Sequence, residues 1–194
     1  MGMAFTDVVM TESDKSVIIV DKNDRPGGHW NNAYPFVRLH QPSAFYGVNS
    51  RPLGNDTIDH AGWNAGLYEL ASGAEVVAYF DQVMREQFIP SGRVQYFPNC
   101  EYLSDGTIAS RVSGKTWTVE AAKTVDATYM NVTVPSVTMP AYEIGVGVKC
   151  FALNELPKHA NSTANFVIIG AGKTGIDACL WLLLNEVDPN RITW

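Results

Sequence analysis

The feature that most constrains this chain is a glycine-rich loop set between an apolar run and a helix. Phe166, Val167, Ile168 and Ile169 form a largely β-branched segment that reads as a buried strand. Gly170, Ala171, Gly172, Lys173, Thr174 and Gly175 follow at once, and residues 176–187 (IDACLWLLLNEV) read as an apolar helix. A lone G-x-G-x-x-G is a weak signal, but a strand before it and a helix after it supply the context the motif needs. Gly170 permits the tight turn, Gly172 lets a pyrophosphate approach the backbone, and Gly175 lets helix and strand pack closely. The helix N-terminus adds unpaired N–H groups and a positive dipole end, with Lys173 and Thr174 beside them. A P-loop is excluded by spacing, because the glycine it needs five positions before Gly172 is Val167, inside the strand.

The opposite end of the chain repeats the pattern. Phe5, Val8 and Val9 mark a short helix over residues 3–11, and Val17, Ile18, Ile19 and Val20 read as a fully buried strand ending in Asp21. If Gly2 is the last glycine of a similar loop, the 18 residues between it and Asp21 bring a carboxylate to the end of the next strand. A dinucleotide ribose is held by an acceptor at that place.

Between these units lies a long Gly-, Pro- and Asn-rich stretch over 22–66, of the kind that is usually functional in a compact domain. Ser72 and Glu75 have capping-box spacing, and Val77, Phe80, Met84 and Phe88 then fall near one helical face, with Pro90 expected to end the helix. From Arg93 to Met130 short alternating runs (VQYF, EYL, TIASRVS, TWTVEAA, TVDATYM) predict an antiparallel meander, with turns at Pro98-Asn99, Asp105-Gly106 and Ser113-Gly114. A proline-spaced connector over 134–157 leads to the second unit.

Composition removes several function classes. The 194 residues carry 14 Lys and Arg against 20 Asp and Glu, a net charge of −6 that argues against a nucleic-acid partner. No apolar run approaches the length of a membrane span, and the first residues show no signal-peptide pattern, so neither is expected. Cys100, Cys150 and Cys179 are odd in number and form no Cys-x-x-Cys pair, which fits a reducing, cytoplasmic setting and no metal; Cys179 is expected in the core. His29, His40, His60 and His159 are scattered without ligand spacing. Trp30, Tyr34, Trp63 and Tyr68 are candidates for a substrate wall.

Residues 21–30 (DKNDRPGGHW) join an acidic residue, the Lys22 spacer, Gly27-Gly28 and Trp30, and residues 34–43 (YPFVRLHQPS) follow. With the second glycine motif, this order resembles the flavin-containing monooxygenases and related FAD- and NAD(P)-dependent oxidoreductases along the whole chain. The fingerprint Phe-x-Gly-x-x-x-His is absent from residues 151–159, and Ala127-Thr128-Tyr129, followed by Met130-Asn131, stands where such proteins carry Ala-Thr-Gly. The likeness is therefore to the broad family. It implies that the Gly27-Gly28 loop passes close to FAD, with Lys22 and Trp30 beside it, and that Arg38 and His40 lie towards the flavin. A cation there would stabilise a reduced flavin anion.

The resulting expectation is an α/β chain. A Rossmann-like FAD-binding domain with an antiparallel β-meander covers 1–157, and the start of a second, Rossmann-like NAD(P)-binding domain covers 158–194. Gly2, Asp21, Lys22, Gly27, Gly28, Trp30, Arg38 and His40 serve FAD, while Gly170, Gly172, Lys173, Thr174 and Gly175 serve NAD(P)H. No catalytic residue is assigned. The expected reaction passes hydride from NAD(P)H to FAD and then uses oxygen and a small organic substrate. A single-cofactor dehydrogenase using only the second motif, and a non-catalytic dinucleotide sensor, stay open. Both ends read as cuts, with the first strand and two loop glycines expected before Met1 and the rest of the second domain after Trp194, so the chain alone should bind FAD poorly.

Overall fold

The computed structural model describes residues 1–128, 136–138, 140–159 and 163–194. Tyr129, Met130 and Asn131, and part of the connector after Val134, lie outside these residues. The architecture is mixed α/β with small open sheets. Helix α1 (Gly2–Glu12) leads into β1 (Val17–Val20), which pairs in parallel with β4 (Val94–Phe97) in the register Val17 to Val94 through Val20 to Phe97. The crossover between them contains the two-residue hairpin strands β2 (Gly47–Val48) and β3 (Arg51–Pro52), then helix α2 (Gly73–Val83). Strands β5 (Cys100–Leu103), β6 (Thr107–Ser110) and β7 (Thr116–Thr118) form the antiparallel meander. The last unit is β8 (Phe166–Val167), α3 (Lys173–Leu184) and β9 (Ile192–Thr193), with β8 and β9 parallel.

Several expectations are corrected. The VQYF run is no part of the meander, because it is β4 and pairs in parallel with β1. The meander has three strands, and residues 124–128 carry none. Neither apolar strand is fully buried: every β1 residue is half-exposed with β4 along one edge, and Val167 and Ile169 are 69% and 67% exposed. Helix α1 turns Met3, Thr6 and Asp7 inward, not Phe5 and Val8. Polar groups can occupy that face because they are bonded: Thr6 Oγ1 donates to the Gly2 carbonyl (2.9 Å), and Asp7 accepts the Ser50 N–H (3.0 Å) and hydroxyl.

On α2 the capping box is present: Ser72 accepts from the Glu75 N–H and Glu75 accepts from the Ser72 N–H. The buried stripe is Val76, Tyr79 and Val83, continued by Met84 and Phe88, so Val77 and Phe80 lie at its margin. Pro90 does not end the helix. A π-helical turn (Met84–Phe88) and a 3₁₀ turn (Ile89–Ser91) carry the chain past it, and Gly92 closes the segment in the left-handed conformation, φ +69°. Cys179 is half-buried rather than in the core, and burial pushes its thiol pKa up.

Two apolar cores result. The first gathers Leu39, Val48, Val76, Val83, Met84 and Phe88; the second gathers Leu156, Phe166, Ala178, Leu182 and Val187. Phe36, from the loop after β1, packs on the second core and stacks on Trp181 with ring centroids 5.1 Å apart. Among the described residues, no helix is long and apolar enough to cross a membrane.

Candidate functional site

The second glycine loop has the geometry its sequence asks for. Gly170 sits at φ +117°, a backbone that side chains rarely adopt, and turns the chain from β8 towards α3. Its carbonyl accepts a 2.7 Å bond from the Trp194 indole. A Cβ on Gly172 would meet nothing within 4 Å, nor would one on Gly170. Gly172 is also the N-cap of α3, with no side chain bonded over the helix end. Helix geometry leaves the N–H groups of Lys173 and Thr174 without intrahelical acceptors, and the Cβ positions of Gly170 and Gly172 beside them are open. Gly175 differs: a Cβ there would come closer than 3.0 Å to the Gly170 carbonyl oxygen. Two glycines face open space and the third packs, a division of roles that suits a pyrophosphate.

Lys173 is placed otherwise than its spacing suggested. Its ammonium pairs with Asp177, one helical turn on, and donates to the Arg38 carbonyl at 2.6 Å. Its backbone N–H, and not its side chain, belongs to the uncapped first turn of α3 beside the loop.

In the first unit, Gly2 opens α1, again with no side-chain cap, and a Cβ on it would stand 3.3 Å from the Ala127 methyl. Asp21 directly follows β1; its N–H donates to the Phe97 carbonyl and its carbonyl accepts from the Cys100 N–H. The carboxylate accepts the Asn23 N–H (2.9 Å) and the Asn23 side-chain amide (3.0 Å), both on Oδ1, which leaves Oδ2 for another donor. Burial raises its pKa, with the two Asn23 bonds opposing. Beside it, Tyr96 on β4 buries a hydroxyl that has no hydrogen-bond partner among the described residues. Burial and the Asp21, Asp24 and Asp81 carboxylates push the Tyr96 pKa up. An orphaned donor at a strand end is a place where a ligand oxygen fits. Lys22 is exposed next to it.

The Gly27-Gly28 loop needs its glycines, with φ +123° and +57°. Asn31 staples it, its amide donating to the Arg25, Pro26 and Gly28 carbonyls while its oxygen accepts from Arg25 Nε at 3.0 Å. Beside the loop lies a cleft of about 530 Å³ lined by Arg25, Trp30, Tyr34, Val37, Val77 and Asp81. Trp30 is fixed there by a 2.6 Å bond from its indole to the Tyr46 hydroxyl. Trp63 and Tyr68 are exposed and do not line it. Val37 and Leu39 point inward while Arg38 and His40 alternate outward; the Arg38 guanidinium donates to the Leu70 carbonyl and lines a separate cavity of about 570 Å³. His159 stacks on Phe151, centroids 4.3 Å apart. Among the described residues no cluster of His, Cys, Asp or Glu could hold a metal ion.

Sequence reasoning missed Asn31, Tyr96, Asp81 and Asp177 as site residues. The i, i+4 spacing of Lys173 and Asp177 was a signal for the last; the others depend on contacts remote in sequence.

The chain is 54% identical, over all of its 194 residues, to uncharacterized proteins of Mycobacterium bovis and Mycobacterium tuberculosis, and spans 36% of the length of each. No family model matches the chain, and no solved structure matches it.

Proposed function

We propose that this chain is the dinucleotide-binding part of a flavin-dependent oxidoreductase that draws hydride from NAD(P)H and acts, with oxygen, on a small organic substrate. The observation that carries the reading is the loop at 170–175, where Gly170 and Gly172 face open space before the uncapped N-terminus of α3 and Gly175 packs on Gly170. The N–H groups of Lys173 and Thr174 would hold a nicotinamide dinucleotide's pyrophosphate there. In the first unit, Asp21 and the orphaned Tyr96 hydroxyl supply an acceptor and a donor at the end of β1, where the FAD ribose would lie. Gly28, whose Cβ position is open, leaves room for close approach, while Gly27 packs towards Val77 and Asn31; Trp30 walls the adjoining cleft. Bound flavin would supply the hydride acceptor and the reaction with oxygen. This chain's own residues bind, orient and limit water access.

The test is flavin absorbance together with NADH and NADPH oxidation, in a protein of the relatives' full length that carries this chain. Bound flavin with nicotinamide-dependent oxygen consumption supports the reading. Nicotinamide binding without flavin returns the single-cofactor dehydrogenase, and binding of both without oxidation returns the sensor. Binding of neither ends all three.

A further inference from the structure

The loop after Gly27-Gly28 and the helix after the second glycine motif are joined by one cluster of polar groups. The Tyr34 hydroxyl donates to Asp177 Oδ2 at 2.5 Å. Lys173 pairs with the same Asp177 oxygen, donates to the Arg38 carbonyl at 2.6 Å, and lies 5.8 Å from the centre of the Tyr34 ring. Thr174 also shares a hydrogen bond with Tyr34. The Phe36–Trp181 stack closes the apolar side of the joint. Residues 143 positions apart in the chain thus meet around one carboxylate whose side chain is 17% exposed.

The arrangement has a consequence for geometry. Tyr34 lines the cleft beside the Gly27-Gly28 loop, and Lys173 is the first residue of α3. Each end of the cluster is therefore rooted in a different candidate cofactor loop. A carboxylate held by an ammonium and a phenol at half-buried sites is a directional contact, unlike the apolar stack beside it. We propose that Tyr34, Lys173 and Asp177 are positioning residues, a clamp that fixes the spacing of loop 34–40 against the second glycine loop so that the two cofactors stand at transfer distance. This rests on the two-cofactor reading given above. Lys173 then serves through its side chain as a strut and through its backbone N–H as a hydrogen-bond donor to phosphate, two tasks one residue can perform together.

The experiment uses Tyr34→Phe, Asp177→Asn and Lys173→Met, with Lys173→Arg as the conservative variant, in the full-length protein. Tyr34→Phe removes a single oxygen and keeps the ring, so it guards against loss of folding in the others. The first readout needs no cofactor: amide exchange over residues 34–40 should speed up by about tenfold or more in the three disruptive variants and less in Lys173→Arg. The second is a split in kinetics. The rate of flavin reduction by NAD(P)H should fall about tenfold or more, while the nicotinamide Kd changes by less than about threefold. Unchanged exchange overturns the clamp. Faster exchange with an unchanged reduction rate, or with a loss confined to Kd, overturns the positioning role. A wild-type protein that takes up neither cofactor overturns both the functional reading and the positioning role, and the exchange data then separate that failure from failure of the clamp itself.

Discussion

Gly175 packs against the carbonyl oxygen of Gly170 so closely that no side chain fits between them. The contact joins the first turn of α3 to the loop that leaves β8, and it sets how near the helix end comes to any ligand in the loop. Gly175→Ala would gain about 1 kcal/mol of helix propensity. It would also press a methyl group into a backbone atom that cannot rotate away, at about 1–3 kcal/mol or more. The expected net result is a lower urea midpoint, and an equal or higher midpoint would show that the loop yields to the methyl group at little cost.

Gly172→Ser separates a ligand loop from an inert turn. Gly172 has φ −86° and ψ 179°, backbone that serine adopts readily, and space for its side chain. Serine is a better N-cap than glycine by a few tenths of a kcal/mol, so stability should hold or rise slightly. The hydroxyl would occupy the space and the N–H groups that the proposed function gives to a pyrophosphate. NAD(P)H affinity, followed by nicotinamide fluorescence, should fall by about tenfold or more. Unchanged affinity would count against the loop as the binding site.

Ser72→Ala removes one half of the α2 capping box and should cost about 1 kcal/mol in chemical denaturation at neutral pH. The hydrogen bonds from Ser72 hold the Glu75 pKa below its ordinary 4.5. A lowered folded value means stability that is present above 4.5 and is lost as pH falls through the folded pKa. The gap between wild type and variant should therefore narrow in acid. A gap independent of pH would assign the loss to the hydroxyl alone.

Asp21→Asn should behave in the opposite sense. Burial raises the Asp21 pKa above 3.8, so its favourable contribution belongs to the protonated form and is lost as pH rises through the folded value. At neutral pH the buried charge opposes folding. Asparagine keeps an oxygen for the Asn23 N–H and removes that charge, so the thermal midpoint of the ligand-free chain should rise at pH 7 and show no gain near pH 3. A lower midpoint at pH 7 would mean that the carboxylate is held by interactions stronger than its burial.

Several local signals that depend on neighbours in the chain read true, although the helix stop at Pro90 did not. The turn at Gly170, the Ser72–Glu75 box and the hairpins at Gly106 and Gly114 all appear, because each is decided by backbone conformation or by hydrogen bonds within a few residues. The buried faces were less legible. Phe5 and Val8 are as apolar as a core residue should be, yet Thr6 and Asp7 face inward because Ser50 and the Gly2 carbonyl satisfy them. The VQYF run looked like its antiparallel neighbours, since period-2 alternation does not say which partner a strand will choose.

By itself, then, the sequence determined the order of units, the glycine turn at 170–175 and the acidic residue that follows β1, because these rest on short-range spacing. Only the tertiary structure decided that the Lys173 ammonium, paired with Asp177 one helical turn on, also reaches the Arg38 carbonyl, and that Tyr34 meets the same carboxylate. A flexible four-carbon side chain goes to whatever acceptors folding brings within reach, and the Arg38 carbonyl lies 135 residues away in the chain.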